Sequence, residues 1–292
     1  MSRKFSVVAI LLAALVSTAC SSQAAPPAGN LQTKGDGLIP ASKVVDPNSI
    51  AKALDFANPS AVAEQARTLA TSNCLEALGF TFTPPKTAEV DIYMAMGIPR
   101  ITEQQALQDG YPKSVFGANE QTEANDVDLS KALYGPADSP KVSAVLGDTE
   151  KSISGSGCFA DGFKKVYGTI ADGMLATGLA TDSIHGATLS AAYDDDLGAA
   201  NAEWAGCIKG TPFPELEGPG AAYAFAQDNP DQALAVAEVD SECREKVNFN
   251  QKLDLVIEKY LTTYLHNMEP YINQIQSIRA KAEVRGRSIL GG

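Results

Sequence analysis

The run from Leu253 to Ala282 constrains this chain more than any other stretch. Leu253, Ile257, Tyr260, Tyr264, Met268, Tyr271, Ile275, Ile278 and Ala282 follow one another at steps of three and four residues. A helix turns once every ~3.6 residues, so these steps gather the side chains on one face, as in a coiled-coil seam. Pro270 falls inside the run and is expected to kink it or split it in two. Packing inside the protein is the ordinary role of such a face. If the helix lacks an internal partner, Tyr260, Tyr264 and Tyr271 become a candidate partner surface.

Helical signals recur upstream. Asn58 can cap a helix, Pro59 suits its first position and Gly79 can end it. Val62, Ala66, Leu69, Ala70, Cys74 and Leu78 give that helix one apolar face. Phe80 to Phe82 and Asp91 to Ile98 read as extended. Thr102-Glu103-Gln104-Gln105 is a capping box, with Gly110 as the stop. Short helices are expected over Leu129 to Leu133 and Pro140 to Leu146, and another from Phe159 to Tyr167. From Ala187 onward the chain is strongly helical. Asp194, Asp195 and Asp196 open a run that ends at Cys207, and a Gly- and Pro-rich loop covers 210–220. Asp228 or Asn229 then caps a helix that starts at Pro230 and carries Cys243. Few stretches alternate as strands do. The expected class is mostly α with minor β content: an N-terminal helical half (46–185), then a helical hairpin and the long helix (186–292).

The first 45 residues have a different character. Arg3 and Lys4 precede an apolar run, Phe5 to Val16, followed by small residues at 17–19 and by Cys20. This is the order of a secretory signal, 1–19, and its apolar run is shorter than the ~20 residues that span a bilayer. Cys20 fits as the lipidated first mature residue, although Ser17 stands where a lipobox usually carries Leu, Val or Ile. An ordinary signal cut after Ala19 or Ala25 is the alternative. Residues 20–45, rich in Ser, Ala, Pro and Gly, read as a flexible tether with a coil span of roughly 25–30 Å. The expected place is outside the cytoplasm, at a membrane held through lipid on Cys20.

The formal charge is −12, and −14 without Arg3 and Lys4. Such a surface repels phosphate backbones, which argues against nucleic acid as a partner. A hydrophobic share of 45% supports a packed core. Besides Cys20 the chain has Cys74, Cys158, Cys207 and Cys243. In an oxidising compartment, four separated cysteines more often form two disulfides than a metal site or a nucleophile. Three pairings are open. The preferred one, Cys74–Cys158 with Cys207–Cys243, puts one staple in each half, contributing on the order of 3–4 kcal/mol apiece.

Short motifs around these cysteines form a series: Cys74-x4-Gly79-Phe80-x-Phe82, Gly157-Cys158, Trp204-x2-Cys207 and Asp240-x2-Cys243, with Tyr134-Gly135 and Ala144 to Gly147 between them. Over roughly 60–270 the series resembles uncharacterised secreted lipoproteins of actinobacteria. Here Gly210 follows Cys207 at the third position, where that pattern has glycine at the fifth. The resemblance implies a helical, disulfide-bonded, surface-anchored protein and carries no catalytic residues.

Catalytic signals are sparse. The histidines are His185 and His266, and neither has the spacing of a metal site or triad. There is no Gly-x-Ser-x-Gly elbow and no Cys-x2-Cys. Asp194 to Asp196 could hold a hard cation, but capping a helix is the better reading. Asp126 and Asp128 are a carboxylate pair of the kind an acidic chain holds by chance. Gly155 and Gly157 lack the residues of a phosphate loop and suit an approach to the Cys158 helix. The expectation is a non-enzymatic binding or scaffolding protein of the cell envelope, without cofactor or metal, meeting another envelope protein. The alternatives are a carboxylate hydrolase and a solute-binding lipoprotein. The scarcity of strand signals argues against the latter.

Overall fold

The computed structural model describes residues 38–84, 89–112 and 127–291. The expected signal, Cys20, most of the tether and Asp126 lie outside these residues. The fold is mostly α, with a two-stranded sheet and two disulfides.

Helix α1 (Ser49–Ala57) buries Ala53, Phe56 and Ala57. Asn58 closes this helix rather than opening the next: its N–H bonds the Leu54 carbonyl, and its side-chain oxygen accepts from Val90. The cap of α2 (Ala61–Ala77) is Ser60, whose hydroxyl accepts from the Ala63 N–H. Gly79, at φ +86°, ends α2 as expected. Asp91 to Ile98 is not extended. Asp91 accepts from Tyr93 and Met94 and so starts α3 (Ile92–Ala95). The capping box at Thr102 and Gln105 is in place on α4 (Glu103–Gln108), and α5 spans Val127–Tyr134.

The helix expected over Pro140 to Leu146 is instead a strand. β1 (Lys141–Leu146) pairs antiparallel with β2 (Thr149–Ser154), Leu146 facing Thr149. That register leaves Gly147-Asp148 as a two-residue turn, with Gly147 at φ +59°. Ala144 and Leu146 point inward while Ser143 and Val145 are exposed, the alternation of a strand.

Cys158 opens α6 (Cys158–Tyr167), and α7 (Ile170–Met174) follows. A π-helical turn, Leu175–Leu179, leads into α8 (Ala180–Ser183) and α9 (His185–Ala192). Arg279 donates to the carbonyls of Ala176, Asp55 and Phe56 at 2.8–3.0 Å. It thereby satisfies carbonyls at the π turn and at the end of α1. The last section holds α10 (Asp195–Ile208), α11 (Pro219–Asp228), α12 (Ala233–Lys246) and α13 (Phe249–Ile289).

At 41 residues, α13 runs unbroken through Pro270. His266, whose carbonyl loses its partner to the proline, is exposed, as is Pro270. Water can replace the missing bond there. The helix does not project. It packs on α1, α2, α6, α9, α10 and α12. One core runs from Ala53 to Ala282, so the boundary at 185/186 does not divide the packing. At Gly286 a Cβ would stand 3.2 Å from the Val62 carbonyl, which shows how closely α13 crosses α2. A satellite cluster of Leu75, Leu133 and Cys158 surrounds the first disulfide.

The second disulfide corrects the hairpin expected in the last third. Trp204 donates to Asp240, and Cys207 bonds Cys243, both at an offset of 36 residues. Equal offsets mean that α10 and α12 advance together. An antiparallel hairpin would pair Trp204 with residues beyond Cys243. The return path is α11, which packs on α12. Its signal is Gly218-Pro219, with proline at the first helical turn.

Candidate functional site

One heavily bonded polar group is sealed in the core. The carboxylate of Asp240 accepts from the Trp204 indole at 2.9 Å, the Tyr111 hydroxyl at 2.7 Å and Nε of Arg244 at 2.9 Å. Nη1 of Arg244 reaches the Pro99 carbonyl, at 2.9 Å. Asp240 is 0% exposed and Arg244 1%. A substrate has no route to such a group, and its partners hold it as a cross-brace between helices. A second network joins Tyr167 to Glu64 at 2.8 Å and Glu64 to Arg67 at 2.7 Å, with Arg67 lying over the rings of Phe159 and Phe163. Glu64 and Tyr167 are buried too.

The residues singled out from the sequence do not converge. Tyr264 is buried, its hydroxyl 2.7 Å from Ser183. Tyr260 and Tyr271 are half-buried against the core, and Tyr260 donates to Asp194 at 2.8 Å. The tyrosine seam is therefore internal packing, not an open partner surface. Asp194 caps α10, accepting from the Asp196 N–H, and Lys259 pairs with both carboxylates. His185 and His266 are exposed. Gly157, at φ +91°, sits where a Cβ would strike the backbone of Leu133 to Gly135, so close packing explains it. Among the described residues, no cluster of three or more His, Cys, Asp or Glu is placed to hold a metal.

One open cleft stands apart from these. It lies between the α6–α7 corner and the last turns of α13, with a volume of about 470 Å³. Thr169 and Asp172 line one wall, and Gln274, Ser277, Lys281 and Arg285 the other. Those four come from one helix face because their steps are three and four. Ile278 and the Tyr167 ring complete the lining. Gly168, at φ +91°, shapes the corner. A Cβ there would stand 3.2 Å from the Arg285 guanidinium, which donates through Nη1 to the Val166 carbonyl. The arrangement offers two cations, hydroxyls, an amide and a single carboxylate, which suits binding. Ser277 has no histidine beside it in the lining.

The cleft has a signal in the sequence. Residues 271–292 hold Arg279, Lys281, Arg285 and Arg287 against Glu283, a net +3 in a chain of −12, so the remaining residues sum to −15. The basic end of α13 is a charge asymmetry that periodicity alone does not display.

No protein-family model, curated protein or solved structure matches the chain. The paired cysteines fit an extracytoplasmic protein. Among the described residues, no helix is long and apolar enough to cross a membrane.

Proposed function

We propose that this is a non-enzymatic binding protein of the cell envelope, held at the outer face of a membrane by lipid on Cys20. The observation that carries the reading is the use of the cysteines. Of five, four are paired with each other, which leaves Cys20, directly after the signal-like segment, for another chemistry. The resemblance of the cysteine motifs to secreted actinobacterial lipoproteins supports the same placement. Binding is favoured over hydrolysis by the side chains themselves. The buried carboxylates Glu64 and Asp240 are bonded into braces. Glu258, pushed up by burial and by Asp254 and Asp46 beside it, has neighbours already committed to Tyr93, Arg100 and Lys52.

Intact mass spectrometry of membrane-extracted protein, alkylated with and without reduction, tests this. The expected result is a diacylglyceryl-sized increment on Cys20 and four cysteines that react only after reduction. Unlipidated protein with Cys20 alkylated, or a signal cut elsewhere, sinks the anchor.

A further inference from the structure

The cleft beside α13 combines a cationic pair with polyol-binding groups, and we propose that it is a binding site for a phosphorylated polyol. The proposal rests on the binding-protein reading above and names its ligand class. The volume of about 470 Å³ matches one small polar molecule rather than a polypeptide surface.

The charges select the anionic end. Lys281 and Arg285 stand one helical turn apart and line the same wall. Arg285 spends one amino group on the Val166 carbonyl at 3.2 Å, which orients the guanidinium against the Gly168 corner. Its other donors and the exposed ammonium of Lys281 remain for a phosphate, a group that Arg and Lys recognise by charge-assisted hydrogen bonds. Elsewhere the protein repels such a ligand, because residues outside 271–292 sum to −15. The field therefore points anions toward this end.

The remaining lining explains why a bare phosphate is not the best fit. Asp172 is half-buried and brings a carboxylate into the same space. Its backbone N–H is held by the Thr169 hydroxyl at 2.9 Å, which fixes the wall it stands on. A carboxylate repels phosphate but accepts from hydroxyl groups. Ser277 and Gln274 can both donate and accept. A phosphate facing Lys281 and Arg285, with hydroxyls facing Asp172, satisfies both sides.

The ligand chemistry could arrive as a soluble ester or as a lipid headgroup, and both are probed. Full-length protein in nonionic detergent is titrated calorimetrically with glycerol 3-phosphate, inorganic phosphate and glycerol. It is also titrated in the same detergent with short-chain phosphatidylglycerol or phosphatidylcholine, because lipid on Cys20 would carry the protein onto vesicles of either. The expected order is glycerol 3-phosphate above inorganic phosphate, with no binding of glycerol. Lys281→Glu weakens binding by about tenfold or more, as a charge reversed at close range should. Asp172→Asn tightens inorganic phosphate by about twofold to fivefold and narrows the preference for the glycerol ester. A merely damaged fold does not tighten a ligand, so this variant separates a site from a structural effect. Saturation by the soluble ester identifies a free ligand. Binding of short-chain phosphatidylglycerol alone, lost in Lys281→Glu, identifies a headgroup. Absence of both, or binding indifferent to Lys281→Glu and Asp172→Asn, overturns the site. Mass spectrometry of the same preparation keeps the two proposals apart. Binding by a chain without lipid on Cys20 refutes the anchor alone, and a lipidated chain that binds no ester or headgroup refutes the site alone.

Discussion

At the scale of residues, the last third is held by a two-rung ladder. Trp204 stands one turn before Cys207, and Asp240 one turn before Cys243. The disulfide is one rung and the Trp204–Asp240 hydrogen bond the other. This gives Trp-x2-Cys and Asp-x2-Cys a physical reason: the spacing is that of a helical turn, and the second rung fixes the rotation of each helix. The sequence made the cysteine pairing legible but hid the other rung, because a tryptophan and an aspartate 36 residues apart carry no mark of contact. Asp240→Ala leaves Arg244 charged, 1% exposed and without its carboxylate. The expected loss is about 3–5 kcal/mol, the cost of stranding a buried charge. The double variant Asp240→Leu/Arg244→Met removes both charges and should lose less than the single one. Urea unfolding followed by circular dichroism and by the fluorescence of Trp204, the single tryptophan, reads both. A single-variant loss under ~1 kcal/mol would show that the brace is not energetically significant.

At the scale of elements, α13 is the most legible part, and of the kink or split expected at Pro270 the split does not occur. Its seam positions are buried or half-buried, as steps of three and four require. Pro270 does not end the helix, because it falls on an exposed stretch where both neighbouring turns are already held by core contacts. Tertiary packing outweighs the local cost. The same competition decided the other differences. Residues 140–146 have apolar groups that fit either period, and the Gly147-Asp148 turn selects the strand. The first helix carries a favoured N-cap residue in its sequence, Asn48, although that side chain makes no cap hydrogen bond. Pro270→Ala restores an N–H that can bond the His266 carbonyl. Stability should rise by about 1–3 kcal/mol if the helix merely tolerates the proline. A thermal midpoint that falls instead would show that packing on both sides of residue 270 needs the bend.

At the scale of the whole molecule, tyrosine hydroxyls tie together elements distant in sequence. Tyr93 of α3 donates to Asp254 of α13, Tyr111 to Asp240 of α12, and Tyr167 of α6 to Glu64 of α2. Tyr260 of α13 reaches Asp194, and Tyr264 meets Ser183. Burial pushes all five phenols above their ordinary range, and for the first four the carboxylate partner adds to the shift. Lys259 is raised as well, first by its bond to Asp196. The sign is the same for every group. Unfolded tyrosines ionise near pH ~10 and lysines near ~10.4. Above those values the unfolded chain binds fewer protons than the folded one, so stability is full below about pH 10 and falls as pH rises toward the folded values. Because the ties cross most of the bundle, they should yield together rather than one at a time. An alkaline titration that follows phenolate absorbance and helical circular dichroism in parallel checks this. The expected outcome is that these phenols ionise in step with the loss of helix, in one cooperative transition. If they ionise while the helical signal is intact, the hydroxyls are not what joins the elements, and the apolar core from Ala53 to Ala282 carries the fold without them.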